Sequence, residues 1–187
     1  MPAPPRAILL DTCVLINLAA TGRLSQIASL CGWRFVVCSA VARESIFLRS
    51  PDSEAESERV RLDSLIGSGA LTVCAVEGEE EEALYVAYAA HLDDGEAMSL
   101  ALAEARGFTL ATDDKKARRL FLEAVGDPGR LLSTPAILRR WATRLRLPQR
   151  ALRDALLAVT NRARYFPPPT DPHFRWWLDS TARGLQT

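Results

Sequence analysis

Four acidic residues, Asp11, Glu44, Glu96 and Asp114, each stand where an apolar run gives way to a helical pattern, or about one turn inside it. Carboxylates gathered in one place repel one another and are costly to hold together unless cations neutralise them. Hard oxygen donors around open positions suit Mg²⁺ or Mn²⁺. A divalent ion so held lowers the pKa of a water, supplies an attacking hydroxide near neutral pH and offsets charge developing on a phosphodiester oxygen; a second ion can serve the leaving group. Such chemistry needs no histidine or cysteine nucleophile. The only histidines, His91 and His173, have no partner nearby in sequence and read as structural or surface residues. Each acid also has a plainer reading, because an Asp after a strand is commonly a helix cap, and Asp113-Asp114 could simply cap the basic helix that follows. Four acids at equivalent addresses favour a common site.

The elements that must position them alternate. Arg6 to Asp11 is a short apolar run ending in a carboxylate, and Val14 to Ala20 follows with helical spacing. A second helix is expected from Leu24 to Leu30, a strand over Arg34 to Cys38, and a helix capped by Ser39 that runs through Glu44 to Leu48. The polar stretch from Arg49 to Arg61 reads as a loop entering an exposed helix that ends near Gly67, with its charges there for solvation. Ala70 to Val76 reads as another strand, and the glutamate run after Glu77 as the dipole-favoured start of a helix reaching Ala90. Asp94 to Gly107 is alanine-rich and helical, capped by Asp94 or Gly95; Phe108 to Thr112 reads as a buried strand and Lys115 to Ala124 as a helix. An edge strand near Arg130 to Ser133, a helix from Thr134-Pro135 to Leu145 and another from Gln149 to Arg164 complete the pattern. A rigid connector, Phe166 to Pro172, then leads to the aromatic segment His173 to Leu178.

Strands alternating with helices predict an α/β fold, a three-layer sandwich with a mainly parallel central sheet, whose sites form at the carboxyl ends of the strands. The expected organisation is an α/β domain over residues 1–146, with a helical extension, 147–187, packed on it. An apolar share of 48% with 25% charged residues excludes wholesale disorder. Cys13, Cys31, Cys38 and Cys74 have no C-x-x-C spacing and read as free thiols. No membrane-length apolar run and no signal-peptide core are evident, so a reducing cytoplasm is the expected compartment. The zero net charge hides an asymmetry. Residues 1–114 carry 8 Lys and Arg against 18 Asp and Glu, whereas residues 115–187 carry 15 against 5. This is consistent with mutual attraction of the two halves, or with an acidic metal pocket beside a basic surface for a polyanion.

Leu9-Leu10-Asp11-Thr12-Cys13-Val14-Leu15, Glu44, Asp94-Gly95-Glu96-Ala97 and Ala111-Thr112-Asp113-Asp114-Lys115-Lys116-Ala117-Arg118 together resemble the motifs of the PIN-domain family, in order and spacing, over roughly residues 6–135. The resemblance implies the α/β sandwich already inferred and a metal-dependent endoribonuclease acting on single-stranded RNA, as in VapC-like toxins of toxin–antitoxin pairs. It implies that Asp11, Glu44, Glu96 and Asp114 are catalytic, metal-binding carboxylates for Mg²⁺ or Mn²⁺, with Asp94 and Asp113 as neighbours able to contribute. Thr12 and Thr112 resemble hydroxyl positions that hold such carboxylates. The third acid is often an aspartate in the family, which leaves Asp94 and Glu96 as competing assignments. Lys115, Lys116 and Arg118 on the helix after the acid pair, and Arg139, Arg140 and Arg144 further on, are candidate RNA contacts. Two protein partners stay open, an antitoxin and a second copy of the chain. So do two other functions: a catalytically silent binding module of the same fold, and another Mg²⁺-dependent α/β phosphohydrolase, which would ordinarily show a second Asp where this chain has Cys13.

Overall fold

A computed structural model describes residues 6–44, 47–50 and 57–182, with the backbone only of Leu30. After Arg6, β1 (Arg6–Leu10) is an apolar run with Ile8, Leu9 and Leu10 fully buried, as expected of a strand covered on both faces. It pairs in parallel with β2 (Trp33–Cys38) on one side and β6 (Thr109–Ala111) on the other. β5 (Thr72–Cys74) lies outside β2, and β7 (Leu131–Leu132) outside β6. The order β5-β2-β1-β6-β7 is parallel throughout, so the carboxyl ends of its strands share one edge.

Helices cover both faces of this sheet. After β1 come α1 (Thr12–Ala20) and α2 (Leu24–Cys31); α3 (Ser39–Arg43) follows β2, and α4 (Leu62–Gly67) precedes β5. α5 (Gly78–Ala89) and α6 (Asp94–Ala105) pack side by side before β6. Ala97, Ala101, Ala103, Leu100 and Leu102 of α6 are all buried, and the alanines let this helix sit close against β1, β2 and β6. α7 (Lys115–Val125) follows β6 and ends at Gly126, whose φ of 69° is the left-handed conformation that glycine adopts without strain. α8 (Thr134–Leu145) follows β7 and buries Trp141. α9 (Gln149–Arg162) and α10 (Phe174–Ala182) form the extension; α9 lies on α1, and Trp177 of α10 is fully buried. No helix among the described residues is long and apolar enough to cross a membrane.

Two expectations require correction. The helix after β2 stops at Arg43, and Glu44 is extended (φ −70°, ψ 143°) instead of helical. Within the stretch expected to finish that helix and then form a loop, β3 (Phe47–Arg49) pairs antiparallel with β4 (Ser57–Arg59); residues 51–56 lie outside the described residues. Arg162 of α9 holds this ribbon in place by donating to the Arg49 carbonyl at 3.3 Å and to Glu58 at 2.5 Å. The ribbon therefore depends on a contact with the far end of the chain, which overrides local propensity.

Candidate metal centre

Asp11 directly follows β1 and caps α1, its Oδ1 accepting from the Thr12 amide at 2.6 Å. Its other oxygen accepts from the Thr112 hydroxyl at 2.7 Å and the Cys13 thiol at 3.2 Å. Asp11 is 4% exposed. Burial pushes its pKa up against the pull of these three donors, and the nearby Asp93 pushes in the same direction. Cys13 is itself raised by burial, then by the charges of Asp11 and Asp113, so it stays a thiol and a donor.

Glu44 leaves the end of α3 and accepts from the Thr12 hydroxyl at 2.9 Å. Across from it, α6 begins with Asp93 as its cap, which accepts from the Glu96 amide at 2.9 Å. Gly95 is buried between the two: a Cβ there would lie 2.9 Å from Glu44 Oε1 and 3.4 Å from Val41. The absence of a side chain at position 95 is what lets Glu44 approach α6. Asp114 caps α7, with Oδ1 accepting from the Lys116 and Ala117 amides at 2.7 and 2.8 Å. Its Oδ2 is not used in the cap.

These side chains surround one cavity of about 400 Å³, lined by Asp11, Thr12, Cys13, Ile16, Glu44, Asp93, Glu96, Asp113 and Asp114. No Lys, Arg or His is among its described lining residues. Glu96 responds to this crowding as well. Desolvation, and then the charges of Asp93, Asp11 and Asp114, push its pKa up to about 7. An all-oxygen, uncompensated set of carboxylates fits a hard divalent cation. Protein donors keep the acids spread around the cavity, and among the described residues no three acidic, His or Cys groups converge on a single point.

Asp11, Glu44, Glu96 and Asp114 are thus brought to one cavity. Asp94 is not: its carboxylate accepts from the Tyr85 hydroxyl, and Asp93 takes the place expected of it in the cavity. The expected cap of α6 shifts with it, from Asp94 or Gly95 to Asp93. Asp93-x-x-Glu96 is a capping-box spacing that could have identified Asp93. Cys13, two residues after Asp11, carried no comparable signal. Asp113 borders the cavity, but Thr134 and Asn17 engage both its oxygens.

The basic candidates are scattered. Arg118 donates to the Thr112 and Leu132 carbonyls at 2.9 and 3.2 Å, and Lys116 donates to the His91 carbonyl. Lys115 is exposed beside Asp114. Arg140 stacks over Trp33 with its guanidinium 4.8 Å from the ring centroid, at the amino edge of the sheet and so away from the carboxylates. Arg144 lies in the last turn of α8, and its charge reaches Cys31 at the end of α2. Arg139 lies 3.1 Å from His173 Nδ1.

The family model DUF3368, described as a PIN domain, matches residues 7–123. Neither the curated proteins nor the solved structures include a match.

Proposed function

We propose, from the premise that this chain belongs to the PIN-domain family, whose fold is that of nucleases, that it is an Mg²⁺- or Mn²⁺-dependent endoribonuclease cleaving single-stranded RNA. The observation that carries this reading is the single cavity ringed by carboxylates without a compensating cation among its described lining residues. Asp11, Glu44, Glu96 and Asp114 would hold the ion, with Asp93 beside them. When bound, the ion lowers the pKa of a water and offsets charge developing on the phosphodiester. The chain's own contribution is orientation. Thr112 and Cys13 fix one oxygen of Asp11, Thr12 fixes Glu44, and the α7 amides hold one oxygen of Asp114 so that the other is free. In the metal-free protein burial and the neighbouring acids push the Glu96 pKa up to about 7, so binding of the ion at neutral pH has to displace a proton from it.

A labelled single-stranded RNA incubated with and without chelator tests the reading, with Asp11→Asn in parallel. Cleavage is expected only with metal. Because a bound ion supplies several kcal/mol of charge stabilisation, the variant should lose about 100-fold or more. Asn keeps the shape while relieving repulsion, so the metal-free variant should unfold at the parental temperature or above. Metal-independent cleavage, or parental cleavage by the variant, would overturn the proposal. The spread of the carboxylates gives the silent-module reading its support, and folded protein without cleavage under any metal would establish it. The finer reading, a toxin of a toxin–antitoxin pair, rests on the VapC-like motifs. Growth arrest on induced expression, abolished by Asp11→Asn, is its expected signature.

A further inference from the structure

Asp113, like Asp11, has both oxygens claimed by protein donors, but its side-chain and amide donors lie on two other elements, α1 and α8. Oδ1 accepts from the Thr134 amide at 2.9 Å, and Oδ2 from the Thr134 hydroxyl at 2.6 Å and from Asn17 Nδ2 at 3.1 Å. Asn17 also donates to the Thr134 hydroxyl at 3.0 Å, and both Asn17 and Thr134 are buried. Three elements therefore meet on one carboxylate: α1, the turn between β6 and α7, and the start of α8. Arg118 secures the other side of that turn through the Thr112 carbonyl. Asp114, next in the chain, has no comparable tie to α1 or α8, so its place at the cavity is set by how its neighbour is held.

A fourth element reaches the same carboxylate. Tyr165, just after α9, packs edge-on against Trp177 and lines, together with Asp113, one small cavity of about 80 Å³, with its hydroxyl on the Asp113 side. That oxygen is buried and makes no hydrogen bond of strict geometry with any described residue. A buried phenol oxygen in that state costs stability, where phenylalanine would supply the same ring without the cost.

We propose that Asp113 is a positioning residue, not a metal ligand, and that Tyr165 makes the segment following α9 a working part of the metal site. The Asn17, Thr134 and Tyr165 groups orient Asp113, which orients the turn that presents Asp114. This inference rests on the metal-dependent reading above.

The test is Mn²⁺ titration, followed by the paramagnetic resonance signal of the free ion, on the parent, Tyr165→Phe, Asp113→Asn and the exchanged pair Asn17→Asp with Asp113→Asn. Thermal unfolding of each metal-free protein is recorded alongside. Tyr165→Phe should unfold at the parental temperature or above yet bind Mn²⁺ about 3–10-fold more weakly, the low end of what loss of an outer partner causes. Asp113→Asn sets an amide against the Asn17 amide and should lose about 10–100-fold. The exchanged pair restores donor facing acceptor and should recover much of that loss. If the parent binds Mn²⁺ and Tyr165→Phe and Asp113→Asn bind it equally well, the positioning role is overturned while the metal site stands. If Asp113→Asn does not fold, Tyr165→Phe decides alone. A parent that does not bind Mn²⁺ overturns the metal-dependent reading itself, and this inference with it.

Discussion

Glu96 shows how much a single residue's surroundings add to its type. Its spacing from Asp94 and the alanine-rich run after it marked a candidate acid, but only the fold shows that burial, and then the charges of Asp93, Asp11 and Asp114 around it, drive its pKa up to about 7. An acid raised in the folded state binds its proton more tightly there than in the unfolded chain. Its contribution is therefore fully present below the unfolded value, near 4.5, and is lost as pH rises through about 7. Asp11 and Asp113, also raised by burial, act in the same direction. The melting temperature of metal-free protein should fall between pH 5 and pH 8, and Glu96→Gln should flatten that fall. Added Mn²⁺ should oppose it, because ligands must be deprotonated to bind. A melting temperature that rises over this interval without metal would contradict the assignment. The residues legible in advance were Asp11, Glu96 and Asp114, which end a strand or open a helix, and Glu44, which reaches the cavity although the helix expected to carry it stops at Arg43. Asp94 misled because adjacent acids at a helix start look alike in sequence, and one residue of cap register decides which faces the cavity.

Among the elements, the parallel core strands and the long helices were legible because each carries its own periodicity. The β3–β4 ribbon was not. Its strands are three residues each, β4 is exposed throughout, and a side chain from α9 completes its anchoring. Glu44 consequently reaches the cavity from an extended turn, not from within a helix, and it does so across Gly95. Gly95→Ala tests this junction. Its new Cβ would press on the movable end of Glu44, not on backbone, while Ala in a helix is favoured over Gly by about 0.5–1 kcal/mol. The expected result is unchanged or raised thermal stability with reduced metal-dependent cleavage. Unaltered cleavage would show that Glu44 needs no close approach to α6.

For the whole molecule, the acidic and basic halves visible in the sequence do not become an acidic pocket ringed by arginines. The fold sends Arg140 to the opposite edge of the sheet, ties Arg139 to His173 and uses Arg118 and Lys116 on carbonyl groups. Lys115 is an exposed cation next to Asp114 in the chain. With Asp11→Asn protein as a non-cleaving background, Lys115→Ala should lower the salt slope of single-stranded RNA binding by about 0.7, the value for one phosphate that is no longer neutralised. Neutralising Arg139, Arg140 and Arg144 together should leave that slope as it was and cost stability instead. The reverse pattern would return RNA binding to the C-terminal arginines. Separation along the chain has a further consequence at the β3–β4 ribbon. Arg162 grips Glu58 from 104 residues downstream. At about 5–20 residues per second, a ribosome needs roughly 5–20 s to cover that interval. Throughout that time the nascent chain carries the ribbon without its clamp, so anchoring of β3 and β4 waits on translation of α9.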